Sequence, residues 1–204
     1  GGTAQTAVSV VAPDGSVTFR QLSQPRSGPA AVALGADVLV IGGDEAGDAE
    51  LLREGSATGE PVTDLSDGVR ESGLLVGDAQ SRALLIGGTD SEGAIRQDSV
   101  RIEGCPDACV SSAGPQWATA RLQALQPEAT ALIIGGAEST EIEEVQWSGD
   151  DVRIAPLFDL TVPRAAAGGI VFESGAFVVG GGDDGVNRRA DFEFCAPDPL
   201  APTQ

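Results

Sequence analysis

The chain has 204 residues, with 31 acidic residues against 12 basic ones, and carries a formal net charge of −19. A field of that sign repels nucleic acid and anionic lipid surfaces, and favours cations or a basic partner. His, Tyr, Lys and Met are all absent from the sequence, so a Ser-His-Asp triad cannot be built from it. No apolar run approaches the length that spans a bilayer as a helix.

The opening residues predict a hairpin. Thr6–Val11 and Ser16–Phe19 are β-rich runs joined by Pro13-Asp14-Gly15, a turn whose proline and glycine preset the backbone. A polar break ending in Pro25-Arg26 leads to two short strands, Pro29–Leu34 and Val38–Ile41, closed by Gly42-Gly43. The same order then recurs. Glu50–Arg53 and Pro61–Leu65 precede a break at Arg70, and Gly73–Val76 and Ala83–Ile86 end in Gly87-Gly88. Asp98–Glu103 alternates apolar and polar residues, as a half-buried strand does. After Cys105–Cys109 the chain reaches Trp117 and Arg121, then Ala131–Ile134 with Gly135-Gly136, Ile142–Trp147 and Val152–Ile154. The last copy opens at Pro163-Arg164 and runs through Ala176–Val179 and Gly180-Gly181 to Arg189–Phe194. No helical periodicity is sustained anywhere. The expectation is an all-β chain, with residues 1–22 a trailing hairpin, repeats to residue 195 and a proline-rich tail over 196–204.

The glycine pairs begin at 42, 87, 135 and 180, at spacings of 45, 48 and 45. A fixed period of this size marks a repeat architecture. Four short strands per period make sheets too small to bury themselves, so they stack on their neighbours, and radial stacking gives a β-propeller.

These residues resemble the kelch repeats. The kelch signature is a strand ending in a glycine pair, then a loop and strand, then an aromatic residue shortly before an arginine that opens the next unit. Gly42-Gly43, Gly87-Gly88, Gly135-Gly136 and Gly180-Gly181 match the first element, and Arg26, Arg70, Arg121 and Arg164 the last. Trp117 stands four residues before Arg121, as the kelch tryptophan would; elsewhere Phe19, Leu65 or Leu157 takes that place, and the usual tyrosine is missing. The resemblance implies about four and a half four-stranded blades. Such a count leaves an incomplete ring or part of a larger propeller, closed by a second chain or by a further segment. The glycines and arginines are expected to be structural, the arginines pairing with carboxylates or stacking between blades. Without methionine, and opening on Gly1-Gly2 near one more period upstream, the chain is expected to be a processed or excised product.

Three cysteines remain. Cys105 and Cys109 lie across a turn and are expected to form a local disulfide, with a metal pair as the rival; Cys195 is left as a free thiol or a bond to other sequence. The loops after the glycine pairs are acidic, and Asp44, Asp48, Asp90, Asp183 and Asp184 are candidate calcium ligands, although no loop reproduces a dedicated calcium pattern. Solvated loops and no cofactor are the expectation, and a calcium site is the rival. The expected function is a non-catalytic, protein-binding scaffold, secreted, periplasmic or at a cell surface. The rival is a segment of a larger propeller enzyme or glycan-binding domain whose active residues lie outside this chain.

Overall fold

The computed structural model describes the chain except residues 1–2, 12–13, 44–47, 64, 66–72, 79, 91, 93, 118–122, 126–130, 137–138, 150, 165–167, 172–176, 181–189 and 196–204. It is all-β, and no helix occurs among the described residues. Among the described residues, seventeen strands form five antiparallel sheets. A two-stranded sheet pairs β1 (Gln5–Val11) with β2 (Val17–Arg26). Three four-stranded sheets follow in chain order. The first holds β3 (Ala30–Leu34), β4 (Asp37–Ile41), β5 (Ala49–Leu52) and β6 (Glu60–Val62). The second holds β7 (Leu74–Gly77), β8 (Ala83–Ile86), β9 (Asp98–Glu103) and β10 (Val110–Gln116). The third holds β11 (Gln123–Leu125), β12 (Ala131–Gly136), β13 (Ser139–Ser148) and β14 (Asp151–Asp159). A three-stranded sheet closes the series with β15 (Gly168–Val171), β16 (Phe177–Gly180) and β17 (Phe192–Cys195). In every sheet each strand pairs with its neighbour in sequence, so the repeat period is one sheet. The opening hairpin runs on to Arg26, four residues beyond the boundary expected from sequence.

The strands differ in pattern because their surroundings differ. On β3, Ala30, Val32 and Leu34 are buried while Ala31 and Ala33 are exposed, the alternation of a strand covered on one face. The second strands are mostly apolar: in β4, after Asp37, Leu39, Val40 and Ile41 are all buried, as are all four residues of β8. A continuous apolar run is what a strand covered on both faces requires. The packing supplies both covers in the first sheet. One face joins Val32, Leu34, Leu39 and Ile41 to Leu75, Leu85 and Ile102 of the second sheet. The other places Val40 and Leu52 under Leu22 and Val8 of the β1–β2 hairpin.

The chain divides into two compact units, Gly1–Ala120 and Arg121–Gln204. The first contains the hairpin and the first two four-stranded sheets. In the second, Leu132, Ile134 and Ile142 pack with Leu160 and Val179, and Cys195 lies against them. Each such aliphatic side chain contributes about 1.5–3 kcal/mol by leaving water, so these clusters carry most of the driving force.

Candidate binding surface

The glycine pairs do two different jobs. Gly42 and Gly43 have φ of 71° and 75°, and Gly87 and Gly88 have 59° and 90°. These are left-handed conformations that only glycine adopts at little cost. A Cβ on Gly43 would also sit 2.8 Å from the Ser27 carbonyl oxygen and 2.9 Å from the Pro29 nitrogen. Gly135 and Gly136 instead lie inside β12, with Gly136 opposite Ser139, and Gly135 is not in the left-handed region. There the constraint is space, because a Cβ on Gly135 would collide with the Ser139 carbonyl oxygen. Gly180 also lies within a strand. It is the last residue of β16, opposite Gly168 and Phe192, and Gly181 lies outside the described residues.

Cross-strand register explains the shift at Gly180. Val40, two residues before Gly42, faces Glu50, and Ile133, two before Gly135, faces Glu143. In the last sheet it is Val179 that faces Glu193. Gly180 therefore follows its glutamate-facing residue directly, whereas Gly42 and Gly135 each follow theirs after one more residue.

The arginine of each repeat has a defined place where it is described. Arg26 has no side-chain exposure, and its partner Glu50 has 1%. Its Nε and Nη2 donate to Glu50 Oε1 at 3.1 and 2.9 Å, while Nη1 donates to the carbonyls of Gly42 and Asp48, both at 2.8 Å. The clamp therefore ties Gly42, which follows β4, to Asp48, which precedes β5. Glu50 Oε2 accepts the Ser23 N–H at 2.5 Å. Burial works against the Glu50 carboxylate, but the Ser23 N–H and Arg26 outweigh it and hold its pKa below the usual glutamate value. Arg164 is likewise unexposed, donating to Glu193 Oε1 at 3.2 Å and lying 3.3 Å from Asp191 Oδ1. Burial opposes Glu193 too, and again the Thr161 N–H and Arg164 bring its pKa down. Arg70 and Arg121 lie outside the described residues.

The apolar residue buried shortly before the arginine is not the expected one in two repeats. Trp117 is buried, and so is Leu65. Phe19 is 74% exposed and Leu157 is 44% exposed. The buried residues are Leu22 and Leu160, each four positions before its arginine, the same offset as Trp117 from Arg121.

Cys105 and Cys109 form a disulfide across the turn between β9 and β10. This turn helps to shape an open cleft of about 210 Å³ in the first compact unit, lined among others by Arg53, Glu60, Val62, Pro106, Asp107 and Cys109. Arg53 Nε donates to Glu60 Oε2 at 2.9 Å, Nη1 lies 3.8 Å from Asp37, and Nη2 donates to the Pro106 carbonyl at 3.3 Å. The hydrogen bond to Glu60 raises the pKa of Arg53 above its ordinary value, with Asp37 and Asp107 adding to it. One arginine thus meets two carboxylates and feels the charge of a third, and Glu60 and Asp107 remain exposed to solvent. None of the cleft's charged residues stands out in the sequence, because the cleft joins segments 53 residues apart.

The acidic loops gather no cation site among the described residues. Asp90 Oδ1 accepts the N–H groups of Glu92 and Ala94, closing its own turn, and Asp48 is tied to Arg26 through its carbonyl. Asp44, Asp183 and Asp184 lie outside the described residues. Cys195 carries no disulfide; it is half-buried, and burial, with Glu193 nearby, raises its pKa. No helix among the described residues is long and apolar enough to cross a membrane.

No protein-family profile and no curated protein matches the sequence. Solved structures do. One, described as "Structure of YjhT", superposes with a TM-score of 0.68 at 12% identity, covering 87% of this chain and 66% of the other. At that identity the similarity concerns the fold alone. The chain spans about two thirds of that structure's length. In all, 148 solved chains match, and a shared architecture does not choose a function by itself.

Proposed function

We propose that this chain is a non-catalytic, protein-binding scaffold, a kelch-like β-propeller whose sheets are successive blades. The observation that carries this reading is the division of labour among its charged groups. The repeated arginines that are described, Arg26 and Arg164, are buried and spent on holding turns and sheets together. Exposed chemistry is left to the inter-strand turns, where the Arg53–Glu60–Asp107 cleft lies. At about 210 Å³ the cleft is smaller than the roughly 300–1,000 Å³ of small-molecule sites, and its size suits one long side chain of a protein partner. Its excess of carboxylates over arginine, in a chain of net charge −19, favours a basic side chain. The disulfide is compatible with a secreted or periplasmic setting, which this reading adopts.

A second reading is favoured by one observation, that the chain matches only 66% of the solved structure's length. On it, the blades described here are part of a larger propeller, an enzyme or a glycan-binding domain, whose active residues lie elsewhere.

Immobilised chain probed with short peptides that differ only in a central Arg, Lys, Gln or Glu tests the binding reading. Binding confined to Arg and Lys peptides and weakening steadily with salt is the expected result. Equal binding of the Glu peptide, or binding of none, overturns it.

A further inference from the structure

One wall of the cleft is the turn between β9 and β10, and the Cys105–Cys109 disulfide closes that turn. Pro106, Asp107, Ala108 and Cys109 all line the cleft, together with Arg53 and Glu60. Two hydrogen bonds help to hold the turn. The Ala108 N–H donates to the Gly104 carbonyl at 3.0 Å, and Arg53 Nη2 donates to the Pro106 carbonyl at 3.3 Å.

The two sides of this turn differ. Cys105 and Cys109 are buried and belong to the apolar cluster that holds Leu51, Leu65 and Ile102. Asp107 and Ala108 are exposed. Interiors are close-packed, and two unbonded thiols need more room than one disulfide. Reduction is therefore relieved on the solvent side, where the turn lifts and carries Pro106 and Asp107 with it. Both consequences fall on the cleft. Asp107 leaves its wall, and the Pro106 carbonyl leaves Arg53, whose guanidinium then competes for the remaining exposed carboxylate, Glu60.

We infer that the Cys105–Cys109 bond gates the cleft, so that the oxidised chain holds a basic side chain and the dithiol chain releases it. The inference rests on the reading of the cleft as a subsite for a basic side chain. Closure is thiol–disulfide exchange with a disulfide-bearing donor. The Cys105 and Cys109 thiols give up two protons and two electrons as the S–S bond forms, and the donor's disulfide takes them up to become a dithiol. Reducing compartments keep thiols reduced, so the chain gains its binding subsite only on entering an oxidising one.

The test titrates the Arg-centred and Glu-centred peptides into the whole chain, oxidised, reduced with excess dithiothreitol, and as Cys105→Ser with Cys109→Ser. Cys195 carries no disulfide, so among the described residues the reductant acts at this bridge alone. Circular dichroism checks that each form is folded at the temperature used. The Arg peptide should bind the oxidised chain at least about fivefold more tightly than either bridge-free form, the scale of one exposed ion pair. Removing the reductant should restore the affinity. Asp107→Asn in the oxidised chain should lose a similar factor, and it decides the matter if the bridge-free forms unfold. Gly43→Ala, at a turn that does not line the cleft, should bind as wild type does. Equal affinity of the oxidised and folded reduced chains overturns the gate while leaving the subsite standing, as does full affinity of Asp107→Asn. An equal loss in Gly43→Ala also overturns the gate, since the loss then follows general stability. No binding of the Arg peptide by the oxidised chain overturns the subsite itself, and the gate with it.

Discussion

Replacing Arg26 with methionine removes the charge and all the donors while keeping an unbranched side chain of comparable reach. The substitution leaves Glu50, 1% exposed, with its backbone donors but no counter-ion, and strips the Gly42 and Asp48 carbonyls of a donor. Breaking a buried pair from one side costs about 3–5 kcal/mol, far more than the pair contributes relative to apolar residues of similar shape. For a chain of this size that lowers the melting temperature on the order of 10 °C. Urea unfolding followed by circular dichroism should show a lower midpoint at unchanged slope. The double variant Arg26→Met with Glu50→Leu should recover part of the loss, because no buried charge is left alone. Arg53→Met, at the half-exposed cleft pair, should leave the midpoint where it was. If Arg26→Met unfolds at the wild-type midpoint, the clamp does not hold Gly42 and Asp48 together and the structural role given to the repeated arginine is wrong.

Other outcomes follow from the same geometry. Gly43→Ala should destabilise more than Gly55→Ala in thermal melts. Both positions have positive φ, but the new Cβ meets backbone only at Gly43, and at Gly55 nothing lies within 4 Å. Cys105→Ser with Cys109→Ser should lower stability by about 2 kcal/mol, the entropy of a five-residue loop, and a reducing agent should reproduce the loss. The acid limb of stability should report the depressed carboxylates Glu50, Glu193 and Asp78, for each of which burial is outweighed by donors. Their contribution is complete above the unfolded values of 4.5 for Glu and 3.8 for Asp, and is lost as pH falls through the lower folded values. Stability should therefore be flat near neutrality and fall below about pH 4.5, with a shallower fall in Glu50→Gln.

Much of the sheet layout is legible in the residues themselves. Ala83–Ile86, ended by glycines, announces a strand covered on both faces, and Cys105–Cys109 announces a bridged turn. What escapes is decided by register and by distance. Phe19 and Leu157 are large and apolar, yet the pleat turns them outward while Leu22 and Leu160 face in; a shift of one residue reverses every such assignment. The triple glycine at 180–182 offers two registers, and only the pairing of Val179 with Glu193 selects one. Glu50 could have been suspected as the one charge in an apolar strand, Ala-Glu-Leu-Leu. The cleft could not, because Arg53 and Pro106 meet only once two sheets have packed.

The most direct test of the binding account is a calorimetric titration of the best basic peptide into wild type and into Glu60→Lys with Asp107→Lys. Both residues are exposed, so the variant's urea midpoint should match the wild type's. The account predicts at least about tenfold weaker binding at low salt, since two attractions become repulsions, with the difference shrinking as salt rises. Unchanged affinity in the folded variant would contradict it.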